Sequence, residues 1–409
     1  MNVPKLRFKD NNGNDYPQWK KQNLGNISDI TKLAGFEFTE YVTYQDSGNI
    51  IALRGLNVKN NTLDLSDVKY IDNSDFSKLS RSKLYINDLL FTYVGTIGEV
   101  ALINQNDKYY LAPNVCRIRH YDNVNAIYLL YIFNSNIIKR EIYKYLTKSS
   151  QPALSMENIR KFKVSLPCLE EQNKIANFLS TVDKKISNIE DIITNLENQK
   201  KGLLQQIFNQ EIRFKDENDN NYPDWEKKKL GDISDVRDGT HDSPKYINSG
   251  YPLITSKNIQ NGKISFKDIN YISKEDYNNI NKRSKVSIGD ILMSMIGTVG
   301  NVALLSEENF AIKNVALFKE KSLLKNIFLI QYLQSNLFYK SINNLNEGGT
   351  QKFISLKNIR NLYINLPCLE EQTKIADFLS AFDRKIDNQK AQLEHWKQIK
   401  KGLLQQMFV

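Results

Sequence analysis

Residues 200–208 read Lys-Lys-Gly-Leu-Leu-Gln-Gln-Ile-Phe, and residues 400–408 read Lys-Lys-Gly-Leu-Leu-Gln-Gln-Met-Phe. The same 200-residue offset relates Leu166-Pro167-Cys168-Leu169-Glu170-Glu171-Gln172 to Leu366-Pro367-Cys368-Leu369-Glu370-Glu371-Gln372. Arg7-Phe8-Lys9-Asp10, Tyr16-Pro17 and Trp19 return 206 residues later as Arg213-Phe214-Lys215-Asp216, Tyr222-Pro223 and Trp225. A chain that carries one unit twice folds as two copies of a module, not as one large domain. Its 409 residues suffice for two ordinary cores. The predicted fold class is α+β: two similar mixed α/β domains joined by two long antiparallel coiled-coil helices, as a pseudo-two-fold internal repeat. The expected divisions are 1–165 and 210–365 for the domains, and 166–209 and 366–409 for the helices.

The helices give the clearest periodicity. Ile175, Leu179, Val182, Ile186, Ile189, Ile193, Leu196, Lys200, Leu203 and Ile207 are spaced 4-3-4-3, the seam of a coiled coil. The second copy runs Ile375, Leu379, Phe382, Ile386, Gln389, Leu393, Trp396, Lys400, Leu403 and Met407 in the same register. Pro167 and Pro367 precede the helices, and Glu170-Glu171 and Glu370-Glu371 put negative charge at the positive end of the dipole. Each helix should be about 58 Å long at ~1.5 Å per residue. Two matched seams in one chain most simply pair with each other. Lys200 and Lys400 interrupt the seams two residues before Gly202 and Gly402. That recurrence predicts either a close backbone approach or a frayed end with a snorkelling lysine.

Three cysteines, two of them at equivalent positions, make no disulfide framework and suit a reducing compartment. The opening Met1-Asn2-Val3-Pro4-Lys5 lacks a signal-peptide core, and no apolar run is long enough for a bilayer, so the expected location is the cytoplasm without a membrane partner. The formal charge is +10. Residues 170–208 hold five lysines against six acidic residues, and 370–408 hold seven basic against six acidic residues. The excess therefore lies in the globular parts, where a polyanion surface is expected.

Those parts alternate short β-type runs (50–53, 89–93, 100–103) with helical patches such as 126–146. Asn57-Val58 answers to Asn258-Ile259, and Asn114-Val115 to Asn314-Val315. Gly95-Thr96-Ile97-Gly98 answers to Gly297-Thr298-Val299-Gly300 and reads as a tight turn between strands. Between these anchors the copies diverge, for instance 33–47 against 237–248. Two domains built alike but decorated differently should recognise two different targets.

Catalytic patterns are missing. His120, His241 and His395 lie far apart, and the cysteines lack metal-ligand spacing. There is no phosphate-binding Gly-x-x-x-x-Gly-Lys-Ser/Thr loop and no Asn/Asp-Pro-Pro-Tyr/Phe tetrapeptide of enzymes that methylate base amino groups. Pro223-Asp224-Trp225-Glu226-Lys227-Lys228 imitates a nuclease motif, but its acids are too close to share one metal, and the first copy lacks both. No catalytic or metal-ligating residue is assigned. The chain reads as one that binds a target without transforming it.

The paired Leu-Pro-Cys-Leu-Glu-Glu-Gln-x-Lys-Ile-Ala-x-Phe-Leu-Ser segments (166–180 and 366–380), the Lys-Lys-Gly-Leu-Leu-Gln-Gln helix ends and Pro4-Lys5-Leu6-Arg7-Phe8 resemble the specificity subunit of type I restriction–modification systems. The resemblance covers essentially the whole chain. It implies two target recognition domains, each reading half of a split double-stranded DNA site from the major groove, with the helices setting the spacer. It implies partners as well: two modification subunits and the restriction subunits, which carry S-adenosylmethionine, ATP and Mg, while this chain carries no cofactor. Donor-rich loops are the candidate DNA contacts. Lys148, Ser149, Ser150 and Gln151 correspond to Thr350, Gln351 and Lys352, where glutamine can contact adenine and lysine or hydroxyls can hold phosphate. Arg54 and Asn57 correspond to Ser256, Lys257 and Asn258, each set following a β run. Thr240, His241 and Lys245 fall in a divergent segment. The competing reading is a non-enzymatic coiled-coil adaptor that binds protein or another polyanion.

Overall fold

The computed structural model describes residues 4–146, 152–260, 262–345 and 353–408. They form two compact units, Met1–Glu190 with Gln392–Val409, and Asp191–Ala391. Unit 1 is built around a four-stranded antiparallel sheet in the order Ser28–Lys32, Val115–His120, Leu89–Thr92, Val100–Leu102. Beside it lies a three-stranded sheet ordered Lys69–Tyr70, Ile51–Leu53, Tyr109–Leu111, whose second pair is parallel. A ribbon of Val58–Lys59 with Thr62–Leu63 and a pair of Lys20–Asn23 with Lys163–Leu166 complete the strands.

Unit 2 repeats this topology. Its sheets are ordered Asp235–Asp238, Val315–Lys319, Ile291–Ser294, Val302–Leu304, and Asn270–Ile272, Tyr251–Ile254, Ala311–Ile312. The decoration differs. Unit 1 has a helix at Gly35–Tyr41, and unit 2 has one at Lys274–Ser284, capped by the Ser273 hydroxyl. The α+β reading with an internal repeat therefore holds. The helical patch 126–146 is two helices, Ala126–Phe133 and Asn136–Tyr145. Ser135 separates them: its hydroxyl donates to Ile132 O at 2.6 Å, closing the first helix, and accepts from Ile137 N, opening the second.

The long helices run Leu169–Phe208 and Leu369–Met407. All twenty seam positions are buried or half-buried. Pairing is antiparallel in each unit. Lys400 meets Asp183 and Lys397 meets Glu190 in unit 1, while Lys200 meets Asp383 and Lys390 meets Glu197 in unit 2. Neither expectation for the interrupted seam survives. A Cβ added to Gly202 or Gly402 would meet nothing within 4 Å, so no backbone approaches. Lys200, with a side chain only 9% exposed, is no snorkelling residue at a frayed end: its ammonium donates to Asp383 at 2.6 Å and Gln334 at 3.0 Å. A lysine fits a seam when a carboxylate of the facing helix pairs with it.

The repeated motifs are the joints of this scaffold. Glu171 is wholly buried and accepts from Arg7 Nε (3.0 Å), Arg7 Nη2 (2.7 Å) and Trp19 Nε1 (3.0 Å). Glu371 does the same for Arg213 and Trp225. Gln172 accepts from Asn125 N and donates to the carbonyls of Asn123 and Pro167, and Gln372 copies it with Lys325, Leu323 and Pro367. The end of the second helix closes the core of unit 1, where Phe408 packs 5.7 Å from Tyr128 and 6.4 Å from Trp19. Phe208, ending the first helix, closes unit 2 against Tyr332, Phe328 and Trp225. No helix among the described residues is long and apolar enough to cross a membrane.

Candidate DNA interface

In unit 1 three loops converge at one end of the sheets. The strand Ile51–Leu53 runs into a one-turn 3-10 helix, Gly55–Asn57. Its hub is Asn57, fully buried: Oδ1 accepts from Arg54 N at 3.0 Å, and Nδ2 donates to the carbonyls of Asp64 (2.8 Å) and Asp67 (2.7 Å). The second loop is the hairpin turn after Leu89–Thr92, bearing out the Gly-Thr-x-Gly reading. Thr92 Oγ1 donates to Thr96 O at 2.5 Å and accepts from Glu99 N, with Gly95 and Gly98 at φ 76° and 104°. The third is Asn114, at φ 73°, whose carbonyl accepts from Tyr93 N. A Cβ on Gly55 would lie 3.7 Å from the Asn114 side chain and 3.9 Å from that of Thr92, so the loops touch.

Arg54 lines the resulting hollow of about 370 Å³, with Tyr44, Leu56 and Asn114. Its Nη2 donates to Asp67 O at 2.8 Å and Asp67 Oδ1 at 2.9 Å. Burial raises the Tyr44 phenol above its usual range, and the nearby Arg54 charge pulls it back. Leu56, half exposed, stands at the tip of the turn.

Unit 2 builds the same turn with other side chains. Asn258, also buried, accepts from Thr255 N (3.0 Å) and Thr255 Oγ1 (2.9 Å) and donates to Ser265 O. Ser256 donates its hydroxyl to Asn314 O at 3.2 Å, and Lys257 stands exposed at the tip. His241 lies 2.9 Å from Asn314 Oδ1 through Nδ1 and 2.9 Å from Asp238 Oδ2 through Nε2. Asp238 is buried and also pairs with Arg283. Asn314 N donates to Thr240 O, so Asn314 gathers Thr240, His241 and Ser256 into one cluster. Lys245 is exposed in the segment that follows.

The candidates thus separate. Arg54, Lys257 and Lys245 present cationic groups. Asn57 and Asn258 are spent on their own loops and hold the turn, and both ring nitrogens of His241 face oxygens of the protein. Lys148, Ser149, Ser150, Gln151, Thr350, Gln351 and Lys352 lie outside the described residues. The chain just after each of these segments is fixed beside the hairpin: Leu154 N donates to Tyr93 O, and Ile354 N to Met295 O. Residues the sequence reading passed over are Asp67, Tyr44 and Leu56, and the Asp238–Arg283 pair. A signal existed for Asp67, which recurs as Asp268 at the offset of Asn57 and Asn258. Among the described residues no group of three His, Cys, Asp or Glu side chains could hold a metal ion.

The type I restriction modification DNA specificity domain family matches this chain twice, over residues 16–198 and 222–396. The putative type I restriction enzyme MjaX specificity subunit of Methanocaldococcus jannaschii is 27% identical over 368 residues, 85% of this chain and 83% of that protein. The EcoBI specificity subunit of Escherichia coli is 23% identical over 393 residues, 88% of this chain and 78% of that protein. The type I S subunit of M. genitalium shares the fold, with a TM-score of 0.60 at 16% identity over 100% of this chain and 99% of that one. With one family match on each repeat, the chain belongs to the specificity subunits of type I restriction–modification systems.

Proposed function

We propose that this chain is the non-catalytic, DNA-reading subunit of a cytoplasmic type I restriction–modification complex, and that its two units read unlike halves of an asymmetric split site. The observation that carries this reading is one turn built twice with different residues, Arg54-Gly55-Leu56 against Thr255-Ser256-Lys257, on an unchanged asparagine. A protein that read two equal halves would need no such divergence. The long helices set the spacer between half-sites and dock two modification subunits. Those subunits supply S-adenosylmethionine and methyl transfer, and restriction subunits add ATP- and Mg-dependent translocation and cleavage. Phosphate contacts from Lys245, Lys257 and the Gln151 and Gln351 loops position the duplex, and base edges are read beside them.

The test is methylation sequencing of host DNA with and without this gene, followed by exchange of residues 1–165 for those of a relative. The expected result is one split motif that disappears with the gene and changes in one half on exchange. Change in both halves would overturn the modular reading. An unchanged methylome with partner subunits expressed would return the adaptor reading.

A further inference from the structure

Arg54 is the charged residue in the lining of the unit 1 hollow, and it is already spent. Its Nη2 donates to the carbonyl and the carboxylate of Asp67, and its Nε is buried. What the hollow offers to a partner is apolar. Leu56 is 51% exposed at the tip of the turn, and Tyr44, in the same lining, is 37% exposed. Val94 and Pro113, both half-buried, extend that lining. The two exposed side chains are held from behind. Leu56 precedes the hub Asn57, whose amide ties Arg54 N to the carbonyls of Asp64 and Asp67. Tyr44 packs edge-on against Phe38 with ring centroids 5.4 Å apart, and Phe38 belongs to the helix Gly35–Tyr41 that decorates unit 1. In unit 2 the tip residue is Lys257, and the Ser256 hydroxyl before it is turned to Asn314 O.

The major-groove edges of the four bases carry one apolar group, the C5-methyl of thymine. Guanine O6, or the amino group of adenine or cytosine, set against a leucine and a tyrosine ring would lose water without gaining a partner. The methyl group loses nothing there, and its burial strengthens binding by about four-fold. Because the turn is already fixed, little further ordering opposes the contact. We propose that Leu56, with Tyr44 beside it, reads the methyl group of a thymine in the half-site taken by unit 1. The proposal rests on the DNA-reading function above. Unit 2, with a lysine at that tip, reads its half without this contact.

The experiment uses the full chain with its modification subunits. Methylation sequencing gives the split motif, and exchange of residues 1–165 identifies the half that belongs to unit 1. Each thymine of that half, on either strand, is then replaced in turn by deoxyuridine, which lacks only the C5-methyl group. Binding of each duplex is measured for wild type, Leu56→Ala and Leu56→Met, and the melting midpoint of the complex verifies folding. The expected result is one thymine at which deoxyuridine weakens wild-type binding by about four-fold. Leu56→Ala brings that ratio below about two-fold, whereas Leu56→Met, similar in volume and apolar, keeps most of it. Thymines of the other half respond alike in all three proteins. A unit 1 half-site without thymine, indifference of the wild type to deoxyuridine there, a ratio that Leu56→Ala leaves unchanged, or a change in the other half would each overturn the proposal while leaving the split-site function standing. A wild-type complex that methylates no split motif would overturn that function itself.

Discussion

The turn Arg54-Gly55-Leu56-Asn57 in unit 1 and the turn Thr255-Ser256-Lys257-Asn258 in unit 2 have the same 3-10 geometry and share only their last residue. That residue is the buried one. Asn57 and Asn258 satisfy the backbone of their own loops, whereas the residues just before them carry the exposed side chains Leu56 and Lys257. The difference shows how one scaffold accepts new specificity. The shared residue that holds the loop is one buried amide, and the residues before it differ between the units on the same backbone.

If the units are alike in scaffold, equivalent core deletions should cost the same. Phe408→Ala and Phe208→Ala are each expected to lose about 3–5 kcal/mol, read by urea unfolding with Trp19 and Trp225 as local reporters. Unequal losses would break the comparison at its base. Glu171→Gln and Glu371→Gln strand Arg7 and Arg213 beside an uncharged amide and should each cost about 3 kcal/mol in the same assay. Asn57→Ala and Asn258→Ala leave half-buried carbonyls without donors and should cost about 1–3 kcal/mol. A loss near zero in one unit would show that its turn is held by something else.

The tip residues should behave in the opposite way. Exchanging Leu56→Lys and Lys257→Leu should change stability by less than about 0.5 kcal/mol, yet each should move the salt dependence of DNA binding by about one phosphate contact, in opposite directions. Equal salt slopes before and after would sink the role of the tip. The smallest effect concerns thiols. Cys168 is exposed, whereas Cys368 is half-buried and its thiol is raised above the usual range mainly by burial. Cys168 should react first with a thiol reagent at neutral pH, and Cys116, buried and raised further, last.

Much of the architecture was legible because it is periodic. A seam repeats every three or four residues, and its partner is another seam in the same chain. Side chains whose partners lie far off were misread or left incomplete. Glu171 was assigned to the helix dipole, but its partner Arg7 lies 164 residues away. Lys200 looked like an interruption until Asp383, 183 residues on, was placed against it. At the candidate interface, the sequence marked Asn57 as donor-rich without showing which way the amide faces. A polar side chain of this size serves water, DNA or its own backbone equally well, and only the closed turn decides. The anchors Asn114 and Asn314 were visible as repeats, but their left-handed backbone was not.

The closure of unit 1 by Phe408, with Lys5 N donating to Gln406 O, sets an order of events during synthesis. Unit 2 has its whole core in hand once residue 391 has left the ribosome. Unit 1 waits for residues 392–408, and at roughly 5–20 residues per second the stretch from residue 191 onward takes about 10–45 s. During it, Trp19 and Tyr128 lack their lid. A nascent chain stalled near residue 390 would therefore hold a finished second unit beside an open first one. Chaperone binding and proteolysis should fall on residues 4–190, the part made before unit 2.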